Sequence, residues 1–309
     1  MLEPEIEAFI ARAAAWYPGD ASSLPIIEQR ALYDRFAAAF TRPLPIGVTV
    51  SDARFIAADG RAIRLRRYRS HCRVARGTVL YFHGGGFVVG SLDSHAPIAA
   101  RIAADTGLDV IVVDYRLAPE HRAPAAVDDC LCIAGAALDG YLPFDSTSGP
   151  FRLVGDSAGG TLAAWVAASL RDAGRDGICA IALVYPMLGF EPQRPARETE
   201  AHAPMLTLAD VRAYLRLYWG DVLPPHGAMP LDAHRLDGLP PVLAIGAEHD
   251  PLRDDAYAYV CRIRSAGADA RYWLGRGLVH GAWRALDTSP QAARMHQIVC
   301  DFLVRAKRF

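Results

Sequence analysis

A serine stands among small residues in the pentapeptide GDSAG at 155–159, between an apolar run and a helical pattern. In this context the string is typical of a serine held in a strained turn, with its hydroxyl exposed for nucleophilic attack. The string alone is weak evidence, because a chain with 26 glycines can contain it by chance. Its position between a buried run and a helix favours a nucleophile over an ordinary glycine-rich loop. We therefore predict that Ser157 is a nucleophile.

A serine hydroxyl needs a base to take its proton, and the base needs an acid to orient it. Where the serine occupies such a turn, the acid and then the histidine follow it along the chain. Asp250 ends the apolar segment 241–250, and His280 lies in a loop between glycines, after a short strand predicted at 270–274. Asp254 and Asp255 fit better at the start of the next helix, where negative charge is favourable. We predict Asp250 as the acid and His280 as the base, with a surface-loop histidine as the alternative for His280.

The segment HGGGF at 83–87 directly follows the apolar run 78–82. Consecutive glycines let backbone N–H groups face a ligand, and acyl transfer needs such donors for the developing oxyanion. We expect the amides of Gly84, Gly85 and Ala158 to bind that oxyanion. The alternative is a phosphate cradle, but the spacing G-x-G-x-x-x-G departs from the dinucleotide fingerprint and comes after the first strand.

The elements that must position these residues alternate from about residue 50 onward. Short apolar runs without a polar face alternate with helical patterns, which predicts an α/β fold with a mostly parallel sheet covered by helices on both faces. Residues 45–70 resemble antiparallel strands at the edge of that sheet. Strands are expected at 78–82, 109–115, 151–155, 180–186 and 241–246, with helices at about 95–106, 124–138, 158–173, 252–266 and 289–307.

Two proline-punctuated segments, 1–45 and 187–235, interrupt the alternation and predict a cap over a core formed by 46–186 and 236–309. In the second segment Thr207 and Asp210 form a capping box ahead of an amphipathic helix. Such a cap would lie over the carboxyl edge of the sheet, where α/β sheets bind ligands. Five residues are candidates for lining a substrate pocket, although packing of cap on core explains each equally well: Phe87, Met205, Tyr214, Tyr218 and Trp219.

Charge and composition exclude several partners. Lys and Arg total 33 and Asp and Glu 34, for a net charge of −1, which does not favour nucleic acid or anionic membranes. The basic run 62–76 is interpreted as a solvated strand face. There is no apolar run of roughly 18 residues, so no integral membrane contact is expected.

The N-terminus is acidic where an export signal would be basic, and the six cysteines form no C-x-x-C pair. We predict buried free thiols and a cytoplasmic location.

The motifs as a set are those of a known family. HGGGF, DYRLAPEH at 114–121, GDSAGG, DPLRDD at 250–255 and GLVHGAW at 277–283 occur in one order, and from about residue 45 to the end the chain resembles the hormone-sensitive-lipase-like esterases. The resemblance implies an eight-stranded α/β-hydrolase core, a helical cap and hydrolysis of short- to medium-chain carboxylic esters. Asp255 departs mildly from the family, in which glutamate is common there.

Carried over residue by residue, the resemblance implies a triad and oxyanion donors at the positions already predicted. It also implies that His83, Tyr115 and Glu120 brace the oxyanion loop and the serine turn. The cycle requires no metal and no organic cofactor, and the expected partner is a small-molecule ester. An amidase or lactonase with the same triad remains open. A non-catalytic small-molecule receptor and a lyase on the same fold are further alternatives. The oligomeric state is also open, with a homodimer formed through the sheet edge as one form.

Overall fold

The structure is a computed structural model that describes residues 1–19, 21–72, 77–190, 195–220 and 227–306. The end of the predicted basic run, 73–76, lies outside the described residues. So do 191–194 and 221–226 in the predicted cap segment and 307 at the end of the last predicted helix.

An eight-stranded sheet with the order β1-β2-β4-β3-β5-β6-β7-β8 crosses the described part of the chain. Strands β3 to β8 pair in parallel, whereas β2 pairs antiparallel with both β1 and β4. This confirms the predicted α/β fold with antiparallel strands at one edge. The strands are β1 (Val48–Ile56), β2 (Ala62–Ser70), β3 (Thr78–Phe82), β4 (Asp109–Asp114), β5 (Phe151–Asp156), β6 (Ile178–Val184), β7 (Val242–His249) and β8 (Ala270–Val279).

Helices cover both faces of the sheet because successive strand residues point to opposite sides. In β3, Leu80 and Phe82 join one apolar cluster, whereas Val79 and Tyr81 join another. The first cluster includes residues of α4, α5 and α8, and the second includes residues of α1, α3 and α9. The helices are α1 (Pro4–Ala14), α2 (Ile26–Ala39), α3 (Ala96–Thr106), α4 (Ala125–Leu138), α5 (Ala158–Asp172), α6 (Pro195–Thr199), α7 (Leu208–Trp219), α8 (Arg253–Ser265) and α9 (Pro290–Arg305).

Three parallel strands end at the same edge of the sheet, each directly before a predicted site residue. Ser157 follows β5, Asp250 follows β7 and His280 follows β8. The sequence indicated only a short last strand at 270–274, but β8 continues to Val279. His280 therefore leaves the end of a strand, which holds its backbone more firmly than an isolated loop would.

The two proline-punctuated segments touch each other over this edge. The hydroxyls of Tyr17 and Tyr214 lie 3.1 Å apart, and the Ser22 hydroxyl donates to Asp210 Oδ1 at 2.6 Å. The capping box of Thr207 and Asp210 at the start of α7 is confirmed. The division of the chain into core and cap remains a prediction.

The cysteines are free thiols, as expected, but their predicted burial is only partly correct. Cys130, Cys179 and Cys300 are buried, Cys132 and Cys261 are partly exposed, and Cys72 is exposed on the turn after β2. Among the described residues, no helix combines the length and the apolar character needed to cross a membrane.

Candidate active site

The serine turn joins the end of β5 to the start of α5. Ser157 adopts φ 53° and ψ −123°, a region that non-glycine residues rarely occupy and that stores strain. Its neighbours are small for a steric reason, since a side chain on Gly159 would collide with the backbone oxygen of Phe82 on β3. The turn is tight enough to place the serine side chain at the mouth of a cavity instead of in the core.

A continuous chain of hydrogen bonds links the three predicted residues. His280 Nε2 lies 2.9 Å from Ser157 Oγ, and His280 Nδ1 lies 2.7 Å from Asp250 Oδ2. A carboxylate can only accept, so Nδ1 carries the hydrogen and the unprotonated Nε2 accepts from the serine hydroxyl. Asp250 is fully buried, and its other oxygen accepts from the Leu252 amide at 2.8 Å. The arrangement can therefore move a proton from the serine to the imidazole.

Asp156, the residue before the serine, ties the turn to the glycine loop. Its Oδ1 accepts from the Tyr81 hydroxyl at 2.6 Å and from the Gly84 amide at 3.1 Å. Burial by itself raises the pKa of this carboxyl, but His95, Tyr81 and Arg284 together lower the pKa below its usual range. Asp156 is therefore a buried anion that fixes the spacing between the two loops.

The amides that face the cavity differ in one position from those expected. The Gly84 amide is already bonded to Asp156, and Gly84 does not line the cavity, so the geometry does not favour the prediction that Gly84 is an oxyanion donor. Gly85, Gly86 and Ala158 do line it, and among the described residues their amides donate to no protein acceptor. Gly86 has φ 59°, which turns its amide away from the usual strand direction and favours glycine.

A cavity opens beside Ser157 and His280. Its walls come from the glycine loop, from the strand ends and from both proline-punctuated segments, which contribute Tyr17, Tyr33 and the stretch 205–215. Most of the lining is apolar, as in pockets that bind small organic molecules. The apolar residues include Phe87, Val89, Ile98, Met187, Met205, Leu206, Val211, Leu215 and Leu252.

A protein-family model for the alpha/beta hydrolase fold matches residues 79–284, well over half of the chain. The chain belongs to the α/β-hydrolase family. The match confirms the resemblance drawn from the motifs, and it spans the glycine loop, the serine turn, the acid and the histidine.

Several relatives of this α/β-hydrolase carry esterase names. Esterase LipI of Mycobacterium tuberculosis is 38% identical over 66% of this chain, but the match spans only 64% of LipI, less than two thirds of its length. Ethyl acetate hydrolase of Pseudomonas putida is 32% identical over 76% of each chain. Among solved structures, an esterase of Pyrobaculum calidifontis is 31% identical with a TM-score of 0.88, covering 98% of each chain.

The predicted pocket residues of the α/β-hydrolase divide into two groups. Phe87, Met205 and Tyr214 line the cavity, whereas Tyr218 and Trp219 do not. Tyr218 is fully buried with its ring stacked 4.0 Å from that of Phe87, and Trp219 packs against Trp165. The last turn of α7 points these two rings into the core behind the pocket wall.

Of the three predicted supporting residues, His83 and Tyr115 lie at the glycine loop, and Glu120 is linked to it through Arg30. The Tyr115 hydroxyl donates to the His83 carbonyl at 2.7 Å, and the two rings stack at 4.4 Å. Burial, with a further effect of His95, lowers the pKa of His83 to about 4, so the ring is neutral. Glu120 accepts two hydrogen bonds from Arg30, whose Nε donates to the Val88 carbonyl at 2.9 Å.

Three functional residues escaped the sequence reasoning: Asp156, His95 and Arg284. Asp156 lies inside the serine motif, and its acidic side chain between small residues was a usable signal. His95 and Arg284 carry no local signal, because only the tertiary fold brings Arg284 to the wall of the cavity and His95 to within 3.5 Å of Asp156.

One group of potential metal ligands lies away from this cavity, formed by Asp105, His296 and Cys300. The Trp283 indole donates to His296 Nδ1 at 3.0 Å, so the ring hydrogen is on Nε2 and points at Asp105, 2.9 Å away. A metal at Nε2 would have to displace that hydrogen. The network is therefore better explained as hydrogen bonding between α3 and α9.

Proposed function

We propose that this α/β-hydrolase is a serine carboxylic ester hydrolase acting on short- to medium-chain acyl esters. Ser157 is the nucleophile, His280 the general base and Asp250 the acid that orients it. The observation that carries the proposal is the unbroken chain of hydrogen bonds from Ser157 to His280 (2.9 Å) and from His280 to Asp250 (2.7 Å). This chain lies at a cavity whose backbone amide donors have no protein acceptor among the described residues. The amides of Gly85, Gly86 and Ala158 are the oxyanion donors.

In the first half of the cycle, Ser157 Oγ attacks the ester carbonyl carbon while its proton passes to His280 Nε2. The carbonyl oxygen becomes an alkoxide and accepts hydrogen bonds from the three amides, which are already oriented before the charge forms. His280 then gives the proton to the alcohol oxygen as the carbon–oxygen bond breaks. An acyl group remains on Ser157, and Asp250 stays ionised throughout.

In the second half, water takes the place of the alcohol. His280 Nε2 removes a proton from water, the hydroxide oxygen attacks the acyl carbon, and the same amides bind the second alkoxide. Collapse of this intermediate returns the proton to Ser157 and releases the acid. Because Nε2 must be unprotonated at both attacks, acidification is expected to lower the rate.

Two observations support a substrate of modest size. The cavity is mostly apolar and is bounded by Tyr17, Tyr33 and α7, which limits the room for a long chain. The ethyl acetate hydrolase of Pseudomonas putida, similar to this chain, is named for a small ester. We propose that residues 1–45 and 187–235 act as the cap that limits the chain length. The cytoplasmic location and the homodimer both remain predictions.

The test is a chain-length series of nitrophenyl esters, assayed with and without a fluorophosphonate that reacts with activated serines. We expect hydrolysis that peaks at short or medium chains and disappears in step with labelling of Ser157. A nitroanilide and a lactone of matched size distinguish an amidase and a lactonase. An intact protein that neither labels nor cleaves any ester would contradict the proposal and favour a receptor.

A further inference from the structure

The cavity has a cationic corner formed by one arginine in a largely apolar lining. Arg284 lies on the helical turn Ala282–Ala285, just after His280, and lines the same cavity as Ser157. The guanidinium donates to the Ser94 carbonyl at 2.7 Å and to the Tyr33 hydroxyl at 3.0 Å, and it lies 3.3 Å from His95 Nε2. These contacts fix its position, and it also borders a neighbouring surface groove.

Within the part of the chain that the structure describes, no counter-ion is in contact with this cation. Among the described residues, no carboxylate oxygen lies within the 4.0 Å that defines an ion pair with Arg284. The carboxylate that shares the cavity wall, Asp156, accepts hydrogen bonds from Tyr81 and Gly84, and its second oxygen faces His95 at 3.5 Å. Asp156 and Arg284 therefore influence each other's pKa through space without sharing a hydrogen bond, and the guanidinium carries more N–H donors than its contacts use.

The hydroxyls around Arg284 add further donors. Tyr33 accepts its hydrogen bond from Arg284, which leaves the Tyr33 hydrogen available to a ligand. Tyr17 and Tyr214 share one hydrogen bond, so one of their two hydroxyl hydrogens is also available to a ligand. Burial raises the pKa of Tyr33 and Tyr214, and it raises that of Tyr17 to about 12, so all three keep their hydrogens. The corner is rich in donors and poor in acceptors.

Resting on the proposed function, we propose that Arg284 and Tyr33, with the Tyr17–Tyr214 pair, bind a carboxylate carried by the substrate at a distance from the ester bond. The substrate class is then a monoester of a dicarboxylic acid, or an ester of a hydroxy acid whose carboxylate is free. A carboxylate fits because it only accepts, and because the planar guanidinium presents paired donors to two oxygens. In the largely apolar cavity this pairing is screened less than at the surface.

The first experiment compares charged and neutral esters on the unaltered enzyme. Monomethyl adipate is paired with methyl hexanoate and with dimethyl adipate, and 4-acetoxybutyrate is paired with butyl acetate. Alkyl esters are used because a carboxylate can cleave a nitrophenyl ester without enzyme. We expect kcat/KM to be at least about tenfold higher for the carboxylate in one of the two series. A preference shared by dimethyl adipate would assign the corner to neutral acceptors and overturn the proposal.

The second experiment removes the cation. Arg284→Gln is expected to lower kcat/KM for the preferred carboxylate ester by about ten- to hundredfold more than it lowers kcat/KM for the matched neutral ester, so the ratio of the two values is the measured quantity. Arg284→Lys should recover part of the loss, because it keeps the charge without the planar fork. Arg101→Gln is the matched control, since Arg101 lies in the neighbouring groove and pairs with Asp287. Equal losses for charged and neutral esters would indicate a structural role and overturn the proposal.

A third measurement does not depend on a variant. Adipate should inhibit hydrolysis of a neutral ester competitively and at least about tenfold more strongly than hexanoate, because only adipate keeps a carboxylate for Arg284 when its other end lies near the oxyanion amides. Equal inhibition by the two acids contradicts the carboxylate corner. Failure of the proposed function looks different, because then neither ester series is cleaved and Ser157 does not label.

Discussion

The two sides of the cavity differ in how their hydrogen bonds are balanced. On the side of Ser157, the hydroxyl meets an acceptor in His280, and the imidazole meets an acceptor in Asp250. On the side of Arg284, the guanidinium and the tyrosine hydroxyls outnumber the acceptors around them. A matched network holds its members in one geometry, whereas an excess of donors leaves room for a ligand to complete it. The first side is suited to chemistry and the second to recognition.

Removing the first member of the matched side should have the largest effect. Ser157→Ala is expected to lower kcat for neutral esters by about 10⁶-fold, because the acyl-enzyme can no longer form. Steady-state hydrolysis of nitrophenyl butyrate is the measurement, with Ser169→Ala on the same helix as the control. Ester cleavage within tenfold of the unaltered enzyme would assign the nucleophile elsewhere.

Asp250→Asn tests the last member of the matched chain. We expect kcat to fall by about 10⁴-fold. An asparagine amide that donates to Nδ1 leaves the ring hydrogen on Nε2, and a protonated Nε2 cannot accept the proton of the serine hydroxyl. Asp254→Asn is the matched control, since Asp254 starts α8 and lies outside the chain of hydrogen bonds. If Asp254→Asn proved the more damaging change, the acid would be misassigned.

Gly86→Ala tests the amide that replaces Gly84 in the predicted donor set. An added Cβ would collide with the Tyr214 ring, and φ 59° is unfavourable for alanine, so the amide must shift. We expect kcat to fall by about 10²- to 10³-fold, the usual cost of one oxyanion donor. Gly140→Ala is the control, because Gly140 also has a positive φ of 75° but has no neighbour within 4 Å of the added carbon. A similar loss in both variants would remove Gly86 from the donor set.

Acidification is expected to lower the unfolding free energy through two buried histidines, His83 and His95. Burial lowers the pKa of His83 to about 4 and also lowers the pKa of His95, so both rings stay neutral in the folded chain. In the unfolded chain a histidine protonates near pH ~6.5, so the unfolded state gains protons first as the pH falls. Stability is therefore present above pH ~6.5 and is lost between that pH and about 4 for His83.

For His83 alone the loss of unfolding free energy is on the order of 3 kcal/mol, or roughly 10²-fold in the equilibrium constant. Urea denaturation across this pH range measures it, with His71→Gln as the control because His71 is exposed. Stability that does not change between pH 6.5 and 4.5 would show that the buried rings are charged.

The smallest effect is expected at the contact between the two proline-punctuated segments. Tyr17→Phe and Tyr214→Phe should each lower the unfolding free energy by about 1 kcal/mol, because one shared hydrogen bond is lost. The double variant should lose little more than either single one, since both remove the same bond. Losses that simply add would mean that the 3.1 Å contact between the hydroxyls contributes nothing to joining the segments.

The fold was predictable because apolar runs in a covered parallel sheet lack a polar face, and because the serine and the acid each directly follow such a run. The length of β8 was not predictable, because residues 275–279 include two glycines and interrupt the apolar pattern. The orientation of the α7 rings was missed as well. One helical face carries Tyr214 at the cavity and Tyr218 in the core, and only packing separates them.

The sequence by itself determined which residues could do the chemistry, since a motif and its order along the chain are local properties. Tertiary structure decided which backbone amides are free, because the choice between Gly84 and Gly86 depends on a carboxylate 72 residues away in the chain. It also decided that Arg284 faces the cavity beside Tyr33, a residue 251 positions earlier. Whether a donor finds an acceptor depends on the residues that surround it in space, and spacing along the chain does not reveal those neighbours.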